Sequence, residues 1–265
     1  MKKLIIFVTM LLFIVACTAK PVEDCMAVEF TGIANQKIDY GTNANVYGLT
    51  QKSISFWVYL DSVSANVYRI ISLFDDTAPY TEEGWGVALG VDGSGDLLFS
   101  QNFSVQEGQW SIPVGTLATG AWYNIIIAFD DSSAVNNPSF YVNGSLVANV
   151  EDLTPSGSTA TGTNGALRIG SSGTGTLTLD GLIQDVRIYN RILSASEIEI
   201  LANSKCMKTV MNGLVFWAPM WGTNDQSFDG LTLTSSHIIT DWINGAVGTP
   251  AGSPIGRGNT IQPLK

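Results

Sequence analysis

Few residues of this 265-residue chain could do acid–base, nucleophilic or metal chemistry: one histidine, His237, and three cysteines, Cys17, Cys25 and Cys206. His237 lies near the C-terminal end with no obvious nucleophile around it in sequence, and an imidazole base needs a partner within hydrogen-bond reach. Acids occur in short strings. Asp75-Asp76 and Glu82-Glu83 flank a loop and read as solvated carboxylates, and Glu197-Ile198-Glu199 falls in a helical segment. Seven Trp and eight Tyr offer a different chemistry, flat apolar rings with a polar edge. Tyr80, Trp85 and Trp110 sit in or beside variable, turn-rich loops and are the candidate ligand-binding residues, with core packing as the alternative for each. The 13 basic residues against 23 acids give a formal charge of −10. Nucleic acid is excluded as a partner, because phosphates call for a basic stripe.

The first 17 residues, MKKLIIFVTMLLFIVAC, stand apart from the fold. Lys2 and Lys3 precede an apolar run of 13 residues, Leu4 to Ala16. A bilayer span takes about 20 residues, so the run suits the apolar region of a signal peptide. The string Ile14-Val15-Ala16-Cys17 resembles the bacterial lipobox. That resemblance implies cleavage before Cys17, diacylation of its thiol and acylation of the new amino terminus; an ordinary signal peptide or a small anchor is the alternative. The expected division is 1–16 signal peptide and 17–25 lipidated tether, and Thr18 after the cysteine favours a place in the outer membrane or at the cell surface. Beyond the cytoplasm a disulfide is permitted, and Cys25 and Cys206 form the remaining even pair. A bridge between them would close residues 26–205 into one unit; two free thiols are the alternative.

What must position these residues is a β structure. Only 14% of residues are charged, against roughly 25% in an average domain, and 27 Gly accompany dense Ser, Thr and Asn clusters. Period-two alternation marks 53–60, where Ile54, Phe56, Val58 and Leu60 share one face and Ser55, Trp57 and Tyr59 the other. It recurs at 84–92, 122–130 and 139–147, with further strands expected at 28–31, 68–74, 96–102, 166–170 and 181–189. Asn143-Gly144 predicts a hairpin turn. Only 194–202 reads as helical, Ser194 with Glu197 three residues on forming a capping box. Many short strands divided by turn residues predict an all-β, two-sheet antiparallel jelly-roll sandwich with one short C-terminal helix.

In order along the chain, SISFWVYL, AWYNIIIAFD, SFYVNGSLV, ALRIGS and LDGLIQDVRIYNRILSASEI resemble the laminin-G-like, concanavalin A-like lectin/glucanase superfamily. The resemblance covers about 26–203, and the run from Gly181 to Ile198 is its most specific part. It implies a jelly roll that binds glycans or proteins without catalysis, and it places Trp57 and Trp122 in core motifs. Asn124 stands where relatives often carry histidine. The lead-in strand and loop common in relatives are missing ahead of VEFTG, while GLVFWAPM at 213–220 and DWINGAVGTPAGSP at 241–254 resemble them. The expectation is that 204–265 completes the sandwich as in a circular permutation; a vestigial repeat or an interaction tail is the alternative.

The family's glucanases place E-x-D-x-x-E on one strand, giving acid and nucleophile about 5 Å apart, and no such string occurs here. The resemblance also implies a structural calcium ion where first and last strands meet. Asp185, with Glu29 approaching from the first strand, would hold it, hard oxygens suiting the ion; pairing of Asp185 with Arg187 or Arg191 is the alternative. The reading that results is a non-catalytic, surface-anchored module for a glycan or glycoprotein. Its alternatives are a structural or adhesion protein, phage-encoded ones included, making protein–protein contacts, and a glycoside hydrolase-like enzyme. The acidity is uneven: 26–203 holds 6 basic and 18 acidic residues, and 204–265 holds 4 and 3.

Overall fold

The computed structural model describes residues 26–62, 68–74, 84–90, 97–160, 165–220, 232–233 and 239–257. In chain order its strands are β1 Ala27–Thr31, β2 Lys37–Thr42, β3 Gln51–Leu60, β4 Tyr68–Phe74, β5 Gly84–Leu89, β6 Leu97–Gln101, β7 Gly108–Ser111, β8 Trp122–Asp130 and β9 Ser139–Val142. They continue as β10 Ser145–Val147, β11 Val150–Leu153, β12 Ala166–Ile169, β13 Asp180–Tyr189, β14 Leu214–Ala218, β15 Ile239–Thr240, β16 Val247–Ala251 and β17 Ile255–Arg257. One helix, α1, spans Ala195–Asn203.

Two antiparallel sheets stack face to face. The first runs β10-β9-β8-β3-β13-β1-β17, with β14 also on β13, and the second runs β11-β7-β6-β5-β4-β12-β2-β16-β15. The alternation in the sequence sets which side chains meet between them: Ile54, Phe56, Val58 and Leu60 of β3 join Ile125, Ile127 and Phe129 of β8 in the core. Opposite them lie Ile71 and Leu73 of β4, Trp85, Val87 and Leu89 of β5 and Phe99 of β6. Each such side chain contributes about 1.5–3 kcal/mol on burial. The 139–147 run divides at Asn143-Gly144, whose φ values of +50° and +80° turn β9 back onto β10. Strands β2, β7 and β11 were not expected from the sequence; their Asp, Gly, Gln and Glu residues interrupt the apolar alternation.

The chain after α1 returns to both sheets. β14 pairs with the second half of β13, Arg187 opposite Trp217, while β1 occupies the first half, Val28 opposite Ile183. β17 pairs with β1 and β16 with β2. Between its two halves β13 shifts register at Asp185, which takes a φ of +53°. The outer face of the first sheet is not left bare. α1 lays Ile198 and Leu201 against Ile126, Tyr189, Leu193, Leu214 and Trp217. The Ser194 hydroxyl accepts from the Glu197 backbone N–H and the Glu197 side chain returns to the Ser194 N–H, the expected capping box.

Candidate functional site

Where the two sheets part at one end of the core, the last inward-facing positions carry polar side chains instead of apolar ones. Lys52 is in phase with Ile54 on β3, Gln101 with Phe99 on β6, and Trp85 opens the inward row of β5. With Asp131, just past β8, they line a small cleft that opens to solvent. Lys52 and Asp131 form an ion pair and are 2% and 3% exposed. The Lys52 ammonium also donates to Gln101 Oε1 at 3.0 Å and stands 5.3 Å from the Phe129 ring centroid. Gln101 Nε2 in turn donates to the Gly84 carbonyl at 3.0 Å. Gly84 lines the same cleft at a φ of +128°, and a Cβ there would fall 1.7 Å from the Leu73 carbonyl oxygen, so only glycine fits.

Burial governs the charges in this cleft. It pushes the Lys52 pKa below its ordinary value, opposed by the attraction of Asp131. It pushes the Asp131 carboxyl above the usual carboxylate range, opposed by Lys52. Two polar atoms among the lining residues, Trp85 Nε1 and Asp131 Oδ1, are buried with no hydrogen-bond partner. An unmet donor and an unmet acceptor each cost about 1–3 kcal/mol, and a hydroxyl can answer either. The cleft therefore suits a polar, uncharged group: it offers a donor and an acceptor in its lining, with an ion pair of no net charge beside them.

The structure relocates several residues singled out by sequence. Trp85 is 2% exposed, so it is not a surface platform; it enters the cleft as a wall with a free indole N–H. Trp110 is fully buried, its Nε1 donating to Asn137 Oδ1 at 2.8 Å and its ring packed on Phe99 and Phe129, which makes it core and not ligand contact. Tyr80, His237, Asp75, Asp76, Glu82, Glu83, Cys17 and Cys25 lie outside the described residues. Lys52, Gln101 and Asp131 were missed, although a lysine in phase with four apolar residues of one strand was the available signal.

Asp185 forms a hydrogen-bond hub, and the pairing with Arg187 given above as the alternative to a metal is present. Both its oxygens accept from Arg187, at 3.0 and 3.1 Å; Oδ1 also accepts from Trp217 Nε1 at 2.6 Å and Oδ2 from the Cys206 backbone N–H at 2.7 Å. Donors that already surround a carboxylate leave a cation no lone pair. Glu29 does not approach it, because it pairs with Leu182, three residues away along β13 and so about 10 Å distant. Among the described residues no group of three or more His, Cys, Asp and Glu side chains is placed to hold a metal.

Beside this hub, on the outer face of the first sheet, Lys205 points its ammonium at Trp57 and Trp122, 4.1 and 4.6 Å from the two ring centroids. Burial pushes its pKa down to about 8, against the pull of Asp185. The Lys205 segment thus covers both tryptophans, and Trp57 is 2% exposed. Next to Trp57 on β8, Asn124 is fully buried with neither side-chain atom partnered.

The sandwich, the order of its strands and the closing β13–α1 run now stand together with a match over residues 34–199 to the family described as the concanavalin A-like lectin/glucanases superfamily. The chain belongs to that superfamily. No curated protein matches the sequence. Among solved structures, the chain is similar to a Bacteroides ovatus protein assigned to carbohydrate binding, with a TM-score of 0.60, 13% identity and 92% of this chain covered. The chain spans 62% of that protein's length. It is also similar to the heptameric SAP-like pentraxin of Limulus polyphemus, with a TM-score of 0.51, 15% identity, and 69% of this chain and 84% of the pentraxin covered. At these identities the likeness is one of fold.

Proposed function

We propose that this superfamily member is a non-catalytic binding module for a glycan or glycoprotein, held at the cell envelope by lipid on Cys17. The observation that carries the binding reading is the cleft between the sheets, where Trp85 Nε1 and Asp131 Oδ1 lack partners beside a neutralised Lys52. Hydroxyl groups answer both needs, and a sugar presents them without charge. The fold shared with a protein assigned to carbohydrate binding supports the same class of ligand. Against turnover stands the lining of the cleft, whose one carboxylate among the described residues is tied to Lys52, whereas glycoside hydrolysis uses two facing acids. The proposed Cys25–Cys206 bridge is supported by Cys206, which is 6% exposed and disulfide-bonded.

The test is a glycan array probed with the purified full chain, with and without a chelator, alongside Lys52→Met. The expected result is a sugar-selective signal that survives the chelator and is lost in Lys52→Met. A signal indifferent to Lys52 would move the site away from the cleft. Self-assembly with no sugar signal would favour the adhesion reading instead.

A further inference from the structure

The point at which the chain enters the sandwich fixes which face is nearest whatever holds its amino terminus. In the β1–β13 ladder Val28 lies opposite Ile183, so two residues earlier Met26 comes level with Asp185. Asp185 is the carboxylate that accepts from the Cys206 backbone N–H at 2.7 Å. Entry therefore occurs beside Cys206, and the residues that follow Cys206 crown that entry. Met207 and Met211 are 45% and 44% exposed, and Trp242, on the neighbouring turn, is 40% exposed. The Lys208 ammonium stands 5.4 Å from the Trp242 ring centroid.

This face is rigidly presented. Arg187 donates to the carbonyls of Met207 and Thr209 at 2.7 and 2.9 Å, pinning the turn by its backbone. The Trp242 backbone N–H donates to the Trp217 carbonyl at 2.8 Å, and its ring meets Trp217 edge-on at 5.4 Å. Asp241 locks the same turn by accepting from the Trp217 and Ile243 N–H groups at 2.9 and 3.0 Å. The charge is also local: from Ile200 to Asn224 there is no acid, while Lys205 and Lys208 are present, in a chain whose net charge is −10. An edge-anchored tryptophan beside a lysine able to extend toward water, Lys208, is the pattern of a membrane interface, here flanked by two exposed methionines, and the positive charge of this segment suits anionic headgroups.

We infer that the face built by Met207, Lys208, Met211 and Trp242 seats on the headgroup layer of an anionic phospholipid bilayer, an inference that rests on the lipid anchor proposed above. Tether arithmetic commits it to that occupant. Eight residues separate Cys17 from Met26, so even a fully extended link reaches only about 30 Å. A domain of this length is roughly 45 Å across, from a radius of gyration of about 18 Å. A link shorter than the domain keeps the opposite face away from the bilayer and the entry face within reach of it, and the side chains of that face single it out among those in reach.

The test uses the full chain, lipidated in its host and reconstituted in phosphatidylcholine vesicles containing phosphatidylglycerol, with acyl-chain-brominated lipid as a quencher of tryptophan fluorescence. Quenching is expected in the native chain, abolished in Trp242→Phe and reduced in Lys208→Glu; Phe at this exposed ring position leaves the fold intact, as near-ultraviolet circular dichroism should show. An acylated chain that is not quenched, or is quenched equally with Trp242→Phe, overturns the inference. The mass of the amino-terminal peptide reports acylation separately. A chain without acyl groups on Cys17 defeats the anchor reading and this one with it, whereas an acylated but unquenched chain defeats this one alone.

Discussion

Two buried ion pairs sit among the described residues of this sandwich, and they differ in how completely they are satisfied. Asp185–Arg187 lies on the outer face of the first sheet; two backbone carbonyls take two of the guanidinium's three remaining N–H groups, and an indole and a backbone N–H take up the carboxylate. Lys52–Asp131 lies at the mouth of the core and leaves Asp131 Oδ1 and the neighbouring Trp85 Nε1 unmet. The first pair has no valence left for a ligand and knits the tail to β13. The second leaves one carboxylate oxygen and the neighbouring indole N–H desolvated without a partner, the signature of a place kept for something else.

The contrast makes its largest claim on stability. Asp185→Ala leaves a fully buried guanidinium without its counter-charge and should cost about 3–5 kcal/mol, read as a shift of the urea midpoint. At the other pair, Lys52→Met should cost only about 1–3 kcal/mol, because burial already biases Asp131 toward its neutral form. The double change Lys52→Met with Asp131→Leu should be neutral to stabilising by up to about 4 kcal/mol while still abolishing ligand binding. A double variant as damaged as Asp185→Ala would erase the distinction between the pairs.

A smaller effect separates buried from exposed pairing. Arg191 and the Ser194 backbone hold Glu197 down to about 2. A carboxylate with a depressed folded pKa stabilises above its unfolded value, so this contribution should be full above about pH 4.5. It should disappear as the pH falls toward 2. Glu197→Gln should flatten that part of the pH–stability curve, measured by thermal melts. Smallest of all, a chelator should leave the melting temperature unchanged, since Asp185 already spends its oxygens on protein donors.

The fold was legible because alternation is local. Ile54 to Leu60 declare their faces without knowledge of any partner, and Ser194 and Glu197 declare their helix. The site was less so. Lys52 was visible in the parity of its own strand, whereas its meaning needed Asp131, 79 residues away, and Gln101, 49 residues away. For Asp185 the sequence left a metal and pairing with Arg187 both open, because its other two donors arrive from elsewhere: Trp217 lies 32 positions on and the Cys206 N–H 21. Trp110 looked loop-borne from sequence, and only the stacking of Phe99 and Phe129 reveals it as core. Spacing alone does not disclose a partner brought in by a sheet crossover.

The strand order sets the timetable by which the molecule can form. β1 is flanked by β13 and β17, and β2 by β12 and β16, so the earliest strands made wait between neighbours made last. Neither sheet can close until residues 247–257 have emerged. Contacts between such distant parts of a chain place folding among the slow all-β cases, on the order of milliseconds to seconds. Until then β1 and β2 each keep one edge without its partner, and anything that must handle this chain before it closes has that interval in which to do so.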